Sequence, residues 1–212
     1  MSEYDLTLSD LERDALTEVV NIGVGRAAAS LRKMVGRQVM LAVPSVEIVT
    51  PAGAAALIGQ RENEDLVAVR QAFDGAFSGR ALLIFPETKS LELVRAVVGD
   101  EMSAEQVCEL EVEALAETGN VILNNCLGTM ANMLQRSLKM SLPEVVRGSG
   151  HYLFADGSDS EQGGLVLFLY INFTVRDQDI RGYIAMLMDL PSLASLKILI
   201  GDFIDRVVEH TY

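Results

Sequence analysis

The chain has 212 residues, half of them hydrophobic, with 17 Lys and Arg against 30 Asp and Glu. That length and apolar content suffice for a sizeable core, as one domain or as two small fused halves. The formal charge of −13 disfavours nucleic acid as a partner, because phosphate backbones attract Lys and Arg.

In chain order, Met1-Ser2-Glu3-Tyr4-Asp5 has neither the basic region nor the apolar core of a signal peptide. Ser9-Asp10-Leu11-Glu12 is a capping box, and an apolar helical period follows over 16–34. Strand-like runs follow at 39–43, 46–49, 66–73 and 81–85, with Asp74-Gly75 as a turn between two of them. A helix is predicted over 89–98. Ser103-Ala104-Glu105-Gln106 opens a second long helix, predicted to run to about Lys139, with Met102 and Val107 as its hydrophobic staple. Strands are predicted at 165–175 and 183–188, and a closing helix at 192–200. The run at 165–175 is the longest apolar one, yet it contains Tyr170 and Asn172 and is flanked by Gly163, Gly164 and Arg176. It reads as a buried strand and not a membrane span. A cytoplasmic protein without membrane insertion is therefore expected.

The chain repeats itself. Glu18-Val19-Val20-Asn21 returns as Glu117-Thr118-Gly119-Asn120, 99 residues later, and Pro44 and Pro143 keep that offset. Ser78–Pro86 resembles Ile180–Met188 at an offset of 102, and Gly99-Asp100 returns as Gly201-Asp202. The polar stretch 157–162 accounts for the extra residues as a solvated loop. The expected architecture is α+β and internally duplicated, with two pseudo-twofold-related halves, about 1–100 and 101–212, forming a single domain over 1–212. In each half a long exposed helix packs on antiparallel strands.

At about 100° per residue, Asp14, Glu18 and Asn21 share one helix face, opposite Leu16, Val19, Val20, Gly23, Ala27 and Leu31. Glu113, Glu117 and Asn120 repeat the arrangement. A single polar helix face needs no explanation beyond solvation. Keeping Glu-x-x-Asn at matching positions in two otherwise divergent halves does, because Asn is a mediocre helix former that a solvated face does not require. Cys108 and Cys126 are too far apart for a short-spaced metal pair. His151 and His210, the only histidines, lie near no other ligand in sequence. No metal site is expected, and neither Glu is accompanied by the His at i, i+3 that bundle metal sites use.

Asp14, Glu18, Asn21 and Pro44 match the motif of the CheC family of response-regulator phosphatases (Asp or Ser, three residues, Glu, two residues, Asn, twenty-two residues, Pro). Glu113, Glu117, Asn120 and Pro143 match it again, except that Glu113 replaces Asp or Ser. The chain resembles that family over its whole length. The resemblance implies hydrolysis of the phospho-aspartate of a CheY-type chemotaxis regulator. Asn21 and Asn120 would orient the attacking water, and Glu18 and Glu117 would pair with the receiver's active-site lysine. Asp14 and Glu113 would have a supporting role, and the two prolines a structural one. It further implies no cofactor of the chain's own, with Mg²⁺ carried by the receiver. Two motifs in one chain set it apart from CheX, which has one motif per chain and acts as a dimer, so a monomer is expected. FliY-type proteins carry further flagellar-switch segments that are not evident here. A non-catalytic alternative is an adaptor that docks the receptor deamidase CheD. Because Glu113 departs from the motif, the first site is expected to be the stronger.

Overall fold

The computed structural model describes residues 7–36, 38–43, 45–62, 65–98, 103–155, 164–175 and 178–209. The first half runs α1 (Asp10–Val35), β1 (Val39–Ala42), β2 (Val46–Val49), α2 (Pro51–Gly59), β3 (Leu66–Gly75), β4 (Gly79–Pro86) and α3 (Glu87–Val98). The same order follows as α4 (Ala104–Met133), β5 (Leu138–Met140), β6 (Glu144–Gly148), α5 (Gly150–Phe154), β7 (Leu165–Val175), β8 (Gln178–Met188) and α6 (Leu190–Glu209).

Both long helices begin where their capping boxes place them. Ser9 Oγ accepts from the Glu12 N–H, and the Glu12 carboxylate accepts in return from the Ser9 N–H at 2.7 Å. Ser103 and Gln106 exchange the same pair of bonds. Two otherwise orphaned N–H groups are satisfied at each helix start. Met102, the second partner of the expected staple, lies outside the described residues, as do Pro44, Gly99-Asp100 and the polar stretch 157–162. Gly36, in the left-handed conformation at φ 68°, closes α1.

The eight strands form one antiparallel sheet in the order β1-β7-β8-β4-β3-β5, with β2 also on β7 and β6 also on β3. Each half thus lends its two short strands to the edge of the other. The centre is the β4–β8 pair, where Leu83 lies opposite Ile184. Both point to the face that also buries Val67, Val69, Leu167 and Leu169 under α1, α3, α4 and α6. Side chains alternate along a strand, so an equivalence between β4 and β8 must keep the face. An offset of 101 does so, and it is what a pseudo-twofold through the Leu83–Ile184 pair predicts. The offset of 102 read from the sequence would equate Leu83 with Ala185, which points to the opposite face. That opposite face is covered by α2 and α5 and carries an aromatic cluster of Phe154, Phe168, Tyr170 and Tyr183.

Three expectations are corrected: Asp74 and Gly75, read as a turn, end β3 and pair with Lys139 and Leu138 of β5, the closing helix read over 192–200 extends over Leu190–Glu209, and α4 is shorter than expected. The helix predicted to reach Lys139 stops at Met133, Gln135 takes a positive φ of 54°, and Lys139 sits in β5. Leu134 continues the apolar period and stays buried, but the chain turns there to deliver β5 to the end of β3, where Met140 pairs with Phe73. That long-range pairing overrides a locally helical pattern.

Where α1 and α4 meet, Cys126 is fully buried, and burial pushes its thiol up from 9.0 to about 12. Two outcomes are expected. Only Cys108, which is exposed, should react with a thiol reagent in the native protein, with Cys126 reacting only after unfolding. And because the native state favours the neutral thiol, its contribution to stability is complete below pH 9.0 and is lost as pH rises towards about 12. Urea titrations at pH 7 and pH 10 check the second point. Stability should be lower at pH 10, and Cys126→Ala should shrink the difference.

Candidate functional site

The polar faces of α1 and α4 are built as the helical period requires. On α1, Leu16, Val19, Val20, Ala27 and Leu31 are buried, each at no more than 1% exposure, while Asp14 and Glu18 are exposed and Asn21 is half-buried. On α4, Leu115, Ile122 and Cys126 are buried, Glu113 and Glu117 are exposed, and Asn120 is half-buried. All four carboxylates therefore face solvent, and each asparagine sits one turn further on, at the seam between its helix and the sheet. Among the described residues no three His, Cys, Asp or Glu side chains come together as a metal-holding group. No helix among them is long and apolar enough to cross a membrane.

The two asparagines are held differently. Asn21 Nδ2 donates to the Val43 carbonyl at 3.0 Å, and the Val43 N–H donates to Asn21 Oδ1 at 2.9 Å. The carboxamide is clasped by one backbone unit in both directions, which fixes which end is oxygen and which is nitrogen. An amide offers two N–H groups and two lone pairs, so Asn21 retains one of each. Val43 immediately precedes Pro44 in the sequence, so in the first half the residue before the proline is the one the asparagine binds. Asn120 makes no such clasp with Leu142, its counterpart partner. Its Oδ1 accepts from Gln71 Nε2 at 3.1 Å and from Asn124 Nδ2 at 2.6 Å. Gln71 Nε2 also donates to the Ser141 carbonyl at 2.9 Å.

Val43, Gln71, Asn124 and Ser141 were not anticipated from the sequence. Only Gln71 carries a local signal: it is a polar residue in register with Val67, Val69 and Phe73 on the core-facing side of β3, and it is 1% exposed. Such a residue calls for a buried partner.

The helices are also braced against each other and the sheet. Adding a Cβ to Gly23 would place it 2.9 Å from the Cys126 Cα, so α1 and α4 touch backbone to backbone there. Arg26 reaches across to the Thr129 hydroxyl at 3.3 Å. Glu111, two residues before Glu113 and so off the polar face, accepts from Arg147 of β6 at 2.8 Å and from Ser90 of α3 at 3.1 Å.

Among the described residues, then, six helices pack on one antiparallel sheet, and each of the two long helices bears an exposed carboxylate and a half-buried asparagine. The CheC-like family model matches residues 11–48 and the chemotaxis phosphatase CheX model residues 67–163. It is 22% identical over 201 residues to the CheY-P phosphatase CheC of Bacillus subtilis (strain 168), covering 92% of this chain and 96% of that one. It is 26% identical over 140 residues to the flagellar motor switch phosphatase FliY of the same organism, covering 65% of this chain but only 36% of FliY. In structure it superposes on Thermotoga maritima FliY with a TM-score of 0.71 and 16% identity, covering 93% of this chain and 99% of that one.

Proposed function

We propose that this chain is a phosphatase for the aspartyl phosphate of a CheY-type response regulator. The observation that carries the reading is the recurrence of an exposed Glu and a half-buried, hydrogen-bonded Asn, one turn apart, on both long helices. The similarity to a protein named CheY-P phosphatase CheC supports it.

In the reaction, water attacks phosphorus in line, the new O–P bond forms as the bond to the aspartyl oxygen breaks, and inorganic phosphate and a free carboxylate leave. Mg²⁺ held by the receiver supplies charge neutralisation on the phosphoryl oxygens. This chain contributes position. Asn21 and Asn120 enter the receiver's active site and orient the water, a task suited to an uncharged amide that does not repel the anionic phosphoryl group. Glu18 and Glu117, exposed one turn earlier, pair with the receiver's lysine and set the helix in register. Asp14 and Glu113 extend the acidic face and assist docking. The protein acts in the cytoplasm, as a monomer and without a cofactor of its own.

The competing reading is an adaptor that docks CheD without turnover. The test is the decay of a phosphorylated CheY-type receiver with substoichiometric protein. Acceleration in which each protein molecule clears many receivers supports the phosphatase. Unchanged decay favours the adaptor.

A further inference from the structure

We propose that Gln71 is a positioning residue for the second site, fixing the Asn120 carboxamide with its nitrogen outward; this rests on the function proposed above. The orientation is imposed stepwise from the backbone. The Ser141 carbonyl can only accept, so the end of Gln71 that meets it at 2.9 Å must be Nε2. The same Nε2 lies 3.1 Å from Asn120, so the Asn120 atom there must be Oδ1. That oxygen in turn lies 2.6 Å from Asn124, whose facing atom must be Nδ2. Reversing Gln71 would set its Oε1 against two other acceptors, and reversing Asn124 would set oxygen against oxygen. The arrangement is kept although Gln71 Oε1 and Asn124 Oδ1 are buried without a partner among the described residues, which indicates how firmly the Ser141 carbonyl dictates it.

Two donors fill both lone pairs of Asn120 Oδ1. The side chain is left with the two N–H groups of Nδ2, for which no described residue is an acceptor. Asn120 therefore meets a substrate as a donor, holding the attacking water through its oxygen. Asn21 keeps one N–H and one lone pair, so it can do either.

The device is confined to one half. β5 pairs Met140 with Phe73, and β1 pairs Leu41 with Phe173; that equivalence makes Ile171 the counterpart of Gln71. Ile171 is buried and apolar, and Asn21 takes its orientation from Val43 instead. Gln71 is itself buried, so it cannot touch a receiver and acts only through Asn120.

The test uses Gln71→Met, which keeps the length and removes the donor, in two backgrounds. With the second site isolated by Asn21→Ala, Gln71→Met should lower kcat by on the order of 10- to 100-fold and leave KM for the phosphorylated receiver unchanged. With the first site isolated by Asn120→Ala, it should change neither. Side-chain amide NMR gives a readout independent of turnover. The Gln71 amide protons should be protected from solvent exchange and should shift on Asn120→Ala, while those of Asn120 exchange freely. The inference is overturned if kcat is unmoved in the Asn21→Ala background, if it falls equally in both backgrounds, or if the Gln71 amide exchanges freely. An Asn21→Ala protein with no activity, beside an active wild type, also overturns it while leaving the proposed function standing. An inactive wild type overturns that function instead, and the amide measurement then decides the Gln71–Asn120 coupling by itself.

Discussion

Replacing Glu18 and Glu117 together by alanine is expected to raise KM for the phosphorylated receiver by roughly 30-fold or more, without unfolding the protein. Both side chains are exposed on the helix surface, and neither has an ion-pair partner or a hydrogen bond among the described residues, so little of the fold depends on them. Their contribution appears only when a receiver lysine is brought against them and both charges lose water. Truncating one partner of such a pair typically costs about 2–5 kcal/mol, and 2 kcal/mol corresponds to roughly 30-fold at 25 °C. Because the pair sets register and does not itself meet the reacting atoms, the effect should fall mainly on KM. Raising the salt concentration should also weaken the wild type more than the double variant. Circular dichroism and steady-state kinetics at two ionic strengths check this, and a loss confined to kcat would contradict the role given to the glutamates.

The second large effect is on stability. Gly23→Val should destabilise the protein by about 2–3 kcal/mol, a fall in Tm of roughly 4–12 °C for a chain of this size. The first added carbon would lie 2.9 Å from the Cys126 Cα, 3.1 Å from the Cys126 carbonyl oxygen and 3.2 Å from that of Asn125. All three are backbone atoms of α4, and no rotamer change can clear them, so the helices must part. Gly25 provides the control. It lies on the same helix, is exposed, and has nothing within 4 Å of a built Cβ. Gly25→Ala should therefore stabilise by about 0.5–1 kcal/mol through helix propensity alone. Thermal melts of the two variants should move in opposite directions.

How far the sequence speaks for this molecule depends on whether a feature is local. The starts of α1 and α4 are legible because Ser9 with Glu12 and Ser103 with Gln106 satisfy orphaned N–H groups within four residues. The buried stripe of α1 is legible because a helix of 3.6 residues per turn admits one apolar face. The long strands β3, β4, β7 and β8 are legible as apolar runs buried on both faces of a covered sheet. Of the short elements, β1 and β2 are legible and the others are not. β5 and β6 have three and five residues, are only partly buried, and exist because β3 offers them an edge far away in sequence. α2 escapes notice although Thr50 caps it and Pro51 occupies its first turn, since nine residues rich in alanine show little periodicity. At the site, the two Glu-x-x-Asn pairs are visible by their repetition, but what holds each amide is not. The Val43 clasp spans 22 residues and the Gln71 contact 49, and only the sheet brings those partners to the helices.

The asymmetry between the sites comes from the same source. Glu113 in place of Asp or Ser is the sequence's one sign that the second site differs. The structure adds a larger difference, a carboxamide whose oxygen is already filled by Gln71 and Asn124. Both point to a first site with more hydrogen-bonding options, and the single variants Asn21→Ala and Asn120→Ala should rank accordingly, Asn21→Ala losing more.

The central claim is that the two asparagines orient the attacking water, and the double variant Asn21→Ala/Asn120→Ala tests it most directly. A positioned polar group in an active site is typically worth about 10²-fold in rate, whereas half-buried amides at the edge of a helix contribute modestly to folding. The measurement is the decay of a phosphorylated CheY-type receiver in the presence of the double variant, shown by circular dichroism to be folded, beside wild type at the same concentration. The predicted result is decay at the receiver's intrinsic rate, with wild type faster by about two orders of magnitude. A folded double variant that clears the receiver as fast as wild type would contradict the account.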